Sequence, residues 1–351
     1  EQGAERLAAG DWTGAQQAFE AASAADPRDA RAHLGLAIAL AQLGALDRAL
    51  AEAHLALEFA PDLIAGLLTR GDIRRALRDY AAAITDYETA LRLDPSLDAH
   101  AGMALALEGQ GDLAGAIASL TRAIALRPQD WALVLERSRL YLAANNTAGA
   151  RTDIEFVLAR EPDNPDALLR RAELRRNEGD VTGARADADR VVELYPAASL
   201  PHLVRALIRG SAGDAAGALA DAEQAVALDP ANPVGLRVRA SLHHAAGRLR
   251  EALADYDRAL IAEPNDAITL NNRADALLLL GDLESALRDI ERAIQLDPRL
   301  GIARYTKGQI LDALRRPAEA KASYAEAARL GYTPTPEDLA RVTPAVSPPA
   351  R

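Results

Sequence analysis

Pro27, Pro61, Pro95, Pro128, Pro162, Pro196, Pro230, Pro264 and Pro298 stand 34 residues apart, with a single interval of 33. A fixed period of this length marks a stacked array in which each unit is one supersecondary piece. A length of 351 residues would also accommodate two or three ordinary domains, and the period decides against them. Seventeen residues before these prolines stand Gly10, Gly44, Gly111, Gly179, Gly213, Gly247 and Gly281; Arg78 and Asn145 take the remaining places, and Arg315 continues the series. Gly and Asn suit a helix that ends in the left-handed region. Asp follows this turn residue at Asp11, Asp79, Asp112, Asp180, Asp214 and Asp282, where its carboxylate is placed to cap the next helix.

Residues 281–298, GDLESALRDIERAIQLDP, show what lies between turn and proline. Leu283, Ala286, Leu287, Ile290, Ala293 and Ile294 recur at spacings of three and four, which is one apolar helix face. A second such helix precedes the turn. Proline closes the pair, because the residue before it is pushed out of the α region and Pro itself has no N–H. Each unit therefore reads as a helical hairpin. Five residues after the turn, Ala stands in every unit from Ala15 to Ala320. Seven before the turn the residue is always small: Gly3, Ala37, Gly71, Ala104, Ser138, Ala172, Ala206, Ala240, Ala274 and Gly308. Small residues on both sides let the two helices approach closely, and a third recurring Ala, as at Ala293, suits contact with the next hairpin.

Composition agrees with an all-α chain. An apolar share of 49% excludes disorder as the main state, and the 4% aromatic share suits helices packed through small side chains better than aromatic-rich sheets. The net charge of −11 repels nucleic acid and acidic membrane surfaces, so neither is expected as a partner. Of 40 basic residues only Lys307 and Lys321 are lysines, an arginine bias that fits a GC-rich bacterial genome as well as a chemical need. Without Cys there is no disulfide or thiolate metal site. No apolar run approaches the roughly 20 residues of a membrane span, so direct membrane insertion is not expected.

In its 34-residue helix-turn-helix period, its small residues and its closing proline, the chain resembles the tetratricopeptide repeat family over residues 1 to about 332. The units are 1–27, a truncated first repeat, then 28–61, 62–95, 96–128 (one residue short), 129–162, 163–196, 197–230, 231–264, 265–298 and 299–332, with 333–351 a capping segment and Pro-rich tail. The resemblance implies an all-α, right-handed α-solenoid superhelix. It also implies that the first helix of each pair lines a concave groove for an extended peptide or a partner helix.

Both ends depart from the pattern. Gly3 already lies seven residues before the first turn, so the first helix is expected to begin upstream of residue 1. A removed signal peptide, favoured here and pointing to the periplasm over the cytoplasm, a trimmed chain and a missing upstream domain would each account for it. Thr335, Pro336 and Glu337 read as the start of a short helix covering the last hairpin, followed by the core-less TPAVSPPAR. Gly111 stands 16 residues after Pro95, where the equivalent step elsewhere is 17, a change that a shortened loop absorbs if the helix continues smoothly.

Eight residues before the turn stand Arg70, Arg137, Arg171, Arg205, Arg239 and Arg273, with Lys307 in the last unit. Such a row suggests a phosphate track. Eight residues after the turn, in the same six units, stand Asp86, Asp153, Asp187, Asp221, Asp255 and Asp289; the unit with Met103 in place of Arg has Ser119 in place of Asp. Residues equidistant from an antiparallel turn lie at similar heights, so each Arg is expected to face its Asp as a structural ion pair. Sequence separation leaves pairing with the adjacent repeat open.

The residues ten, six and three before each turn share one helix stripe. If the resemblance holds, this is the groove. It is mostly apolar early, with Leu34, Ile38, Leu68, Ala101 and Leu105, interrupted by Asp72 and Arg75. It becomes more polar later, with Arg139, Glu173, Arg176, Arg237, Ser241, His244, Asn271, Asp275, Tyr305, Gln309 and Asp312. Asn271 and Asn272 also fit a purely structural role, bonding neighbouring helices.

Catalytic patterns are absent: there is no G-x-x-x-x-G-K-[ST], no H-E-x-x-H and no G-x-S-x-G, and no cofactor is expected. His243 and His244 are neighbours on a helix, about 100° apart, without an evident third ligand, so no metal is expected either. The reading is a non-enzymatic scaffold binding a peptide segment or partner protein. The alternative is the regulatory or substrate-recruiting array of an enzyme whose catalytic part precedes residue 1. An RNA-binding solenoid is disfavoured by the net charge and the paired arginines.

Overall fold

The structure is a computed structural model and describes residues 2–334; the helix expected at Thr335 and the tail after it lie outside the described residues. Contacts divide the chain after Ala167 into two units. The first contains α1 Gln2–Ala8, α2 Trp12–Ala25, α3 Ala30–Gln42, α4 Leu46–Phe59, α5 Ile64–Ala76, α6 Tyr80–Leu93, α7 Leu97–Gln110, α8 Leu113–Leu126, α9 Trp131–Ala143 and α10 Thr147–Leu158. The boundary falls within α11 Pro165–Asn177. The second unit continues with α12 Val181–Leu194, α13 Ser199–Ser211, α14 Ala215–Leu228, α15 Pro233–Ala245, α16 Leu249–Ala262, α17 Ala267–Leu280, α18 Leu283–Leu296, α19 Gly301–Ala313 and α20 Pro317–Arg329. All are α-helices, and no strand occurs among the described residues.

The turns form as their residues require. Every turn glycine in the series has positive φ, and so do Arg78 (63°), Asn145 (57°) and Arg315 (58°), the three places where another residue takes the glycine position. After the turn at Gly44, the Ala45 N–H reaches back to the Leu40 carbonyl at 2.9 Å and closes α3. All six aspartates that follow the turn cap the next helix; Asp112, for instance, accepts from the Gly115 N–H at 2.9 Å. Asn146 does the same for α10.

Within each unit a first helix packs on its own second helix, and that helix packs on the next first helix. The recurring Ala five residues after the turn is at most 1% exposed from Ala15 to Ala320, and every small residue seven before the turn is buried. Where that small residue is Gly, an aromatic ring fills the space: Phe19 lies against Gly3 and Gly35, Tyr87 against Gly71 and Gly102, and Tyr324 against Gly308. First helices also touch one another directly, α3 with α5, α5 with α7, α13 with α15 and α17 with α19. They therefore form a closely spaced layer in each unit. The missing residue before Gly111 is absorbed as expected: three residues, 94–96, join α6 to α7, where four, 60–63 and 127–130, make the equivalent joins beside it. Ala104 and Ala116 stay opposed in one core cluster with Leu107, Leu120 and Leu140.

Candidate functional site

The arginine row is engaged throughout. Nη2 of Arg70, Arg137, Arg171, Arg205 and Arg239 and Nε of Arg273 lie 2.6–2.7 Å from Asp86, Asp153, Asp187, Asp221, Asp255 and Asp289 respectively. Each guanidinium also makes a second bond to the same carboxylate, as at Arg171 Nε to Asp187 Oδ2, 2.9 Å. Met103 instead packs against the Ala104–Leu120 cluster, and Ser119 is buried without a salt bridge among the described residues. A third nitrogen of several of these arginines reaches a residue 16 positions earlier, on the preceding second helix: Arg137 to Thr121, Arg205 to Asp189 and Arg273 to Asp257. The row therefore serves packing within and between repeats.

The stripe divides into two parts. Positions six and three before the turn are never buried in any of the ten repeats. The position ten before the turn is partly exposed at Leu34, Leu68, Ala101 and Arg237 but buried at Leu135, Leu169, Leu203, Asn271 and Tyr305. The stripe that remains accessible in every repeat is thus narrower than the three-residue face expected from spacing.

In the first unit, Ile38 and Asp72 line one cleft between α3 and α5, of about 370 Å³, with Ala41, Leu46 and Ile73 among its walls. Asp72 accepts from the Tyr87 hydroxyl at 2.8 Å and from Arg75 Nη2 at 3.3 Å. Burial and the Asp72 carboxylate together push the Tyr87 phenol well above its usual range. Leu34 is partly exposed on α3, Leu68 packs partly into the core beneath α5, and Leu105 is exposed. Arg139 makes two 2.7 Å bonds to Glu108 and two to Glu136, of 3.0 Å from Nε and 2.5 Å from Nη2, and these carboxylates raise its pKa.

In the second unit Glu173 is exposed, and Arg176 contacts the neighbouring Asn177 at 3.3 Å. Arg237 is not a free groove charge: it pairs at 2.5 Å with Asp266, the N-cap of α17. Although burial acts against it, Thr269 and Arg237 hold the Asp266 pKa below the usual carboxylate value. His244 Nε2 lies 3.4 Å from Asp275, and Ser241 Oγ lies 3.3 Å from the Tyr256 hydroxyl, whose pKa burial pushes up to about 12. Asn271 is 3% exposed, donates to Asn272 Oδ1 at 3.1 Å, and its Oδ1 has no hydrogen-bond partner among the described residues. Tyr305 packs on Tyr324 and Tyr332, while Gln309 and Asp312 lie on the accessible part, Asp312 held by the Tyr324 hydroxyl at 2.8 Å.

Spacing missed Glu108, which lies three before its turn and so on the stripe itself, and the tyrosines whose hydroxyls meet stripe residues. The signal for the latter was a tyrosine nine residues after the turn, at Tyr87, Tyr256 and Tyr324. No group of three His, Asp or Glu able to hold a metal occurs among the described residues. No described helix is long and apolar enough to cross a membrane.

Stacked helical hairpins whose periodic charges are turned inward, with an unburied stripe on the first helices of each unit, define a helical-repeat interaction protein. Tetratricopeptide repeat family models match residues 6–71, 68–130, 135–199, 203–267, 237–300 and 271–338, and the chain belongs to that family. A search of curated protein sequences found no match. Among solved structures, a tetratricopeptide repeat protein from Parabacteroides merdae is 20% identical with a TM-score of 0.52, covering 68% of this chain and 94% of its own. The APC/C hetero-tetramer Cut9–Hcn1 is 13% identical with a TM-score of 0.54, covering 94% and 92%. At these identities the likeness is one of fold.

Proposed function

We propose that the chain is a non-catalytic scaffold that holds a segment of a partner protein along the accessible first-helix stripe. The observation that supports this reading is the division of labour among recurring positions. The small residues are buried in helix packing and the arginine row is taken up by aspartates, while positions six and three before the turn stay unburied in every repeat. A row of partly exposed side chains on successive helices offers many modest contacts in series, and a few of them are expected to dominate affinity.

A photo-crosslinking amino acid at Leu105 or Gln309, both on the accessible stripe, tests it against one at Glu88, exposed on the second helix α6. The stripe positions are expected to crosslink one protein from cells of the source organism, in a manner competed by excess unlabelled chain. Crosslinks arising equally from Glu88, or none from the stripe, would place the site elsewhere.

A further inference from the structure

We propose that the cleft between α3 and α5 receives a single lysine side chain of the partner segment. This rests on the partner-segment reading of the stripe and adds the chemistry that one subsite selects. Ile38, Ala41, Leu46 and Ile73 give the cleft apolar walls suited to an aliphatic stem, Thr69 and Gln42 add neutral polar groups, and at about 370 Å³ it lies at the small end of ligand sites. Asp72 supplies the charge. Its side chain is 56% exposed, so a ligand reaches it directly.

The carboxylate is preorganised from beneath. Tyr87 is 1% exposed and donates its hydroxyl to Asp72 Oδ1 at 2.8 Å, and its ring is wedged so closely that a Cβ on Gly71 or Gly102 would come within 2.9 or 2.6 Å of it. Arg75 Nη2 approaches that same Oδ1 at the longer distance of 3.3 Å. Both donors share one oxygen, which leaves Oδ2 open to a ligand. One open oxygen matches the compact ammonium of lysine better than the guanidinium fork of arginine, which bonds both oxygens. The net charge of −11 draws a cationic segment toward the chain.

The test uses the whole chain with isotope-labelled isoleucine methyls and n-pentylammonium as probe, with n-pentanol and pentanoate as controls. Pentylammonium is expected to shift the Ile38 and Ile73 methyls saturably and to bind about fivefold more tightly than pentanol, the size of a half-exposed ion pair; pentanoate is expected to leave them unmoved. Asp72→Asn keeps an acceptor for Tyr87 and should reduce pentylammonium to the affinity of pentanol. Arg75→Gln removes the competing cation and should tighten it. Ala41→Leu, which fills the cleft, should abolish both shifts. Equal binding of amine and alcohol, indifference to Asp72→Asn, or no saturable shift at these methyls would overturn the proposal. Because this titration needs no partner, failure of the stripe crosslinks with a positive amine titration sinks the stripe reading alone, and the reverse outcome sinks only the lysine subsite.

Discussion

Arg137 and Arg171 occupy the same position in neighbouring repeats, yet their loss should cost different amounts. Arg137 holds Asp153 through Nε at 2.9 Å and Nη2 at 2.7 Å, and no other cation touches that carboxylate among the described residues. Asp153 is 4% exposed, so Arg137→Met strands a buried charge and should destabilise by about 3 kcal/mol. Asp187 keeps a second partner, Arg175 Nη1 at 2.7 Å, when Arg171 is lost. Arg171→Met should therefore cost only about 1 kcal/mol, the range of a partly exposed pair. Repeat 4 shows how both charges can be dispensed with: Met103 and Ser119 replace the pair there and stay packed. The double variant Arg137→Met with Asp153→Ser should accordingly recover most of the loss, because neither a buried anion nor its desolvation remains. Urea unfolding read as a sum of repeat and nearest-neighbour interface contributions supplies the comparison. Equal losses for Arg137→Met and Arg171→Met, or a double variant no more stable than Arg137→Met alone, would refute the reasoning.

His33 has both ring nitrogens facing acceptors, Nδ1 to Glu52 at 2.7 Å and Nε2 to the Pro27 carbonyl at 3.1 Å. Burial acts to lower its pKa, but these acceptors and Asp29 outweigh it and raise the value above that of a free imidazole. A raised folded pKa contributes stability that is fully present below about pH 6.5 and fades as pH rises through the folded value. His33→Gln should thus lose more stability relative to wild type at pH 6 than at pH 9, measured by urea unfolding at each pH; a gap that widens with pH would contradict it. Gly102→Ala places a methyl against the Tyr87 ring and should destabilise by about 1–3 kcal/mol; Tyr87→Leu in the same chain should relieve most of that loss in thermal melts. Arg176→Glu should leave thermal stability unchanged, whereas Arg237→Glu should lower it, because it sets a second acid beside Asp266 at the cap of α17. Equal melting temperatures for the two variants would show that the Arg237 pair contributes nothing.

The turn residues, the capping aspartates, the short loop before α7 and the pairing of Arg with Asp are all legible in the amino-acid sequence. Each depends on fewer than about 20 residues of chain, where helix rise and turn geometry leave few arrangements; for the Arg–Asp pairs the structure decides between the same hairpin and the adjacent one. Arg137 shows where that reach ends. Its bond to Asp153 across a single turn follows from equal distance to Asn145, while its contact with Thr121 depends on how one hairpin settles on the previous one. The narrowing of the stripe lies beyond that reach too: Leu34 and Asn271 stand at one register position, but the second is buried and the first is not, a difference that spacing from the turn does not encode. The Asp72 cleft combines both kinds of information. Its acid is visible on the helix stripe, but the ring of Tyr87 wedged between Gly71 and Gly102, which holds that acid still, brings together residues from three helices. The amino-acid sequence by itself determined the period, the hairpins and the contacts across each turn, since those follow from local backbone geometry. Which positions remain open to a partner was decided only by the tertiary structure, because the angle between successive hairpins is set by the sum of many side-chain volumes across an interface and not by any single residue within it.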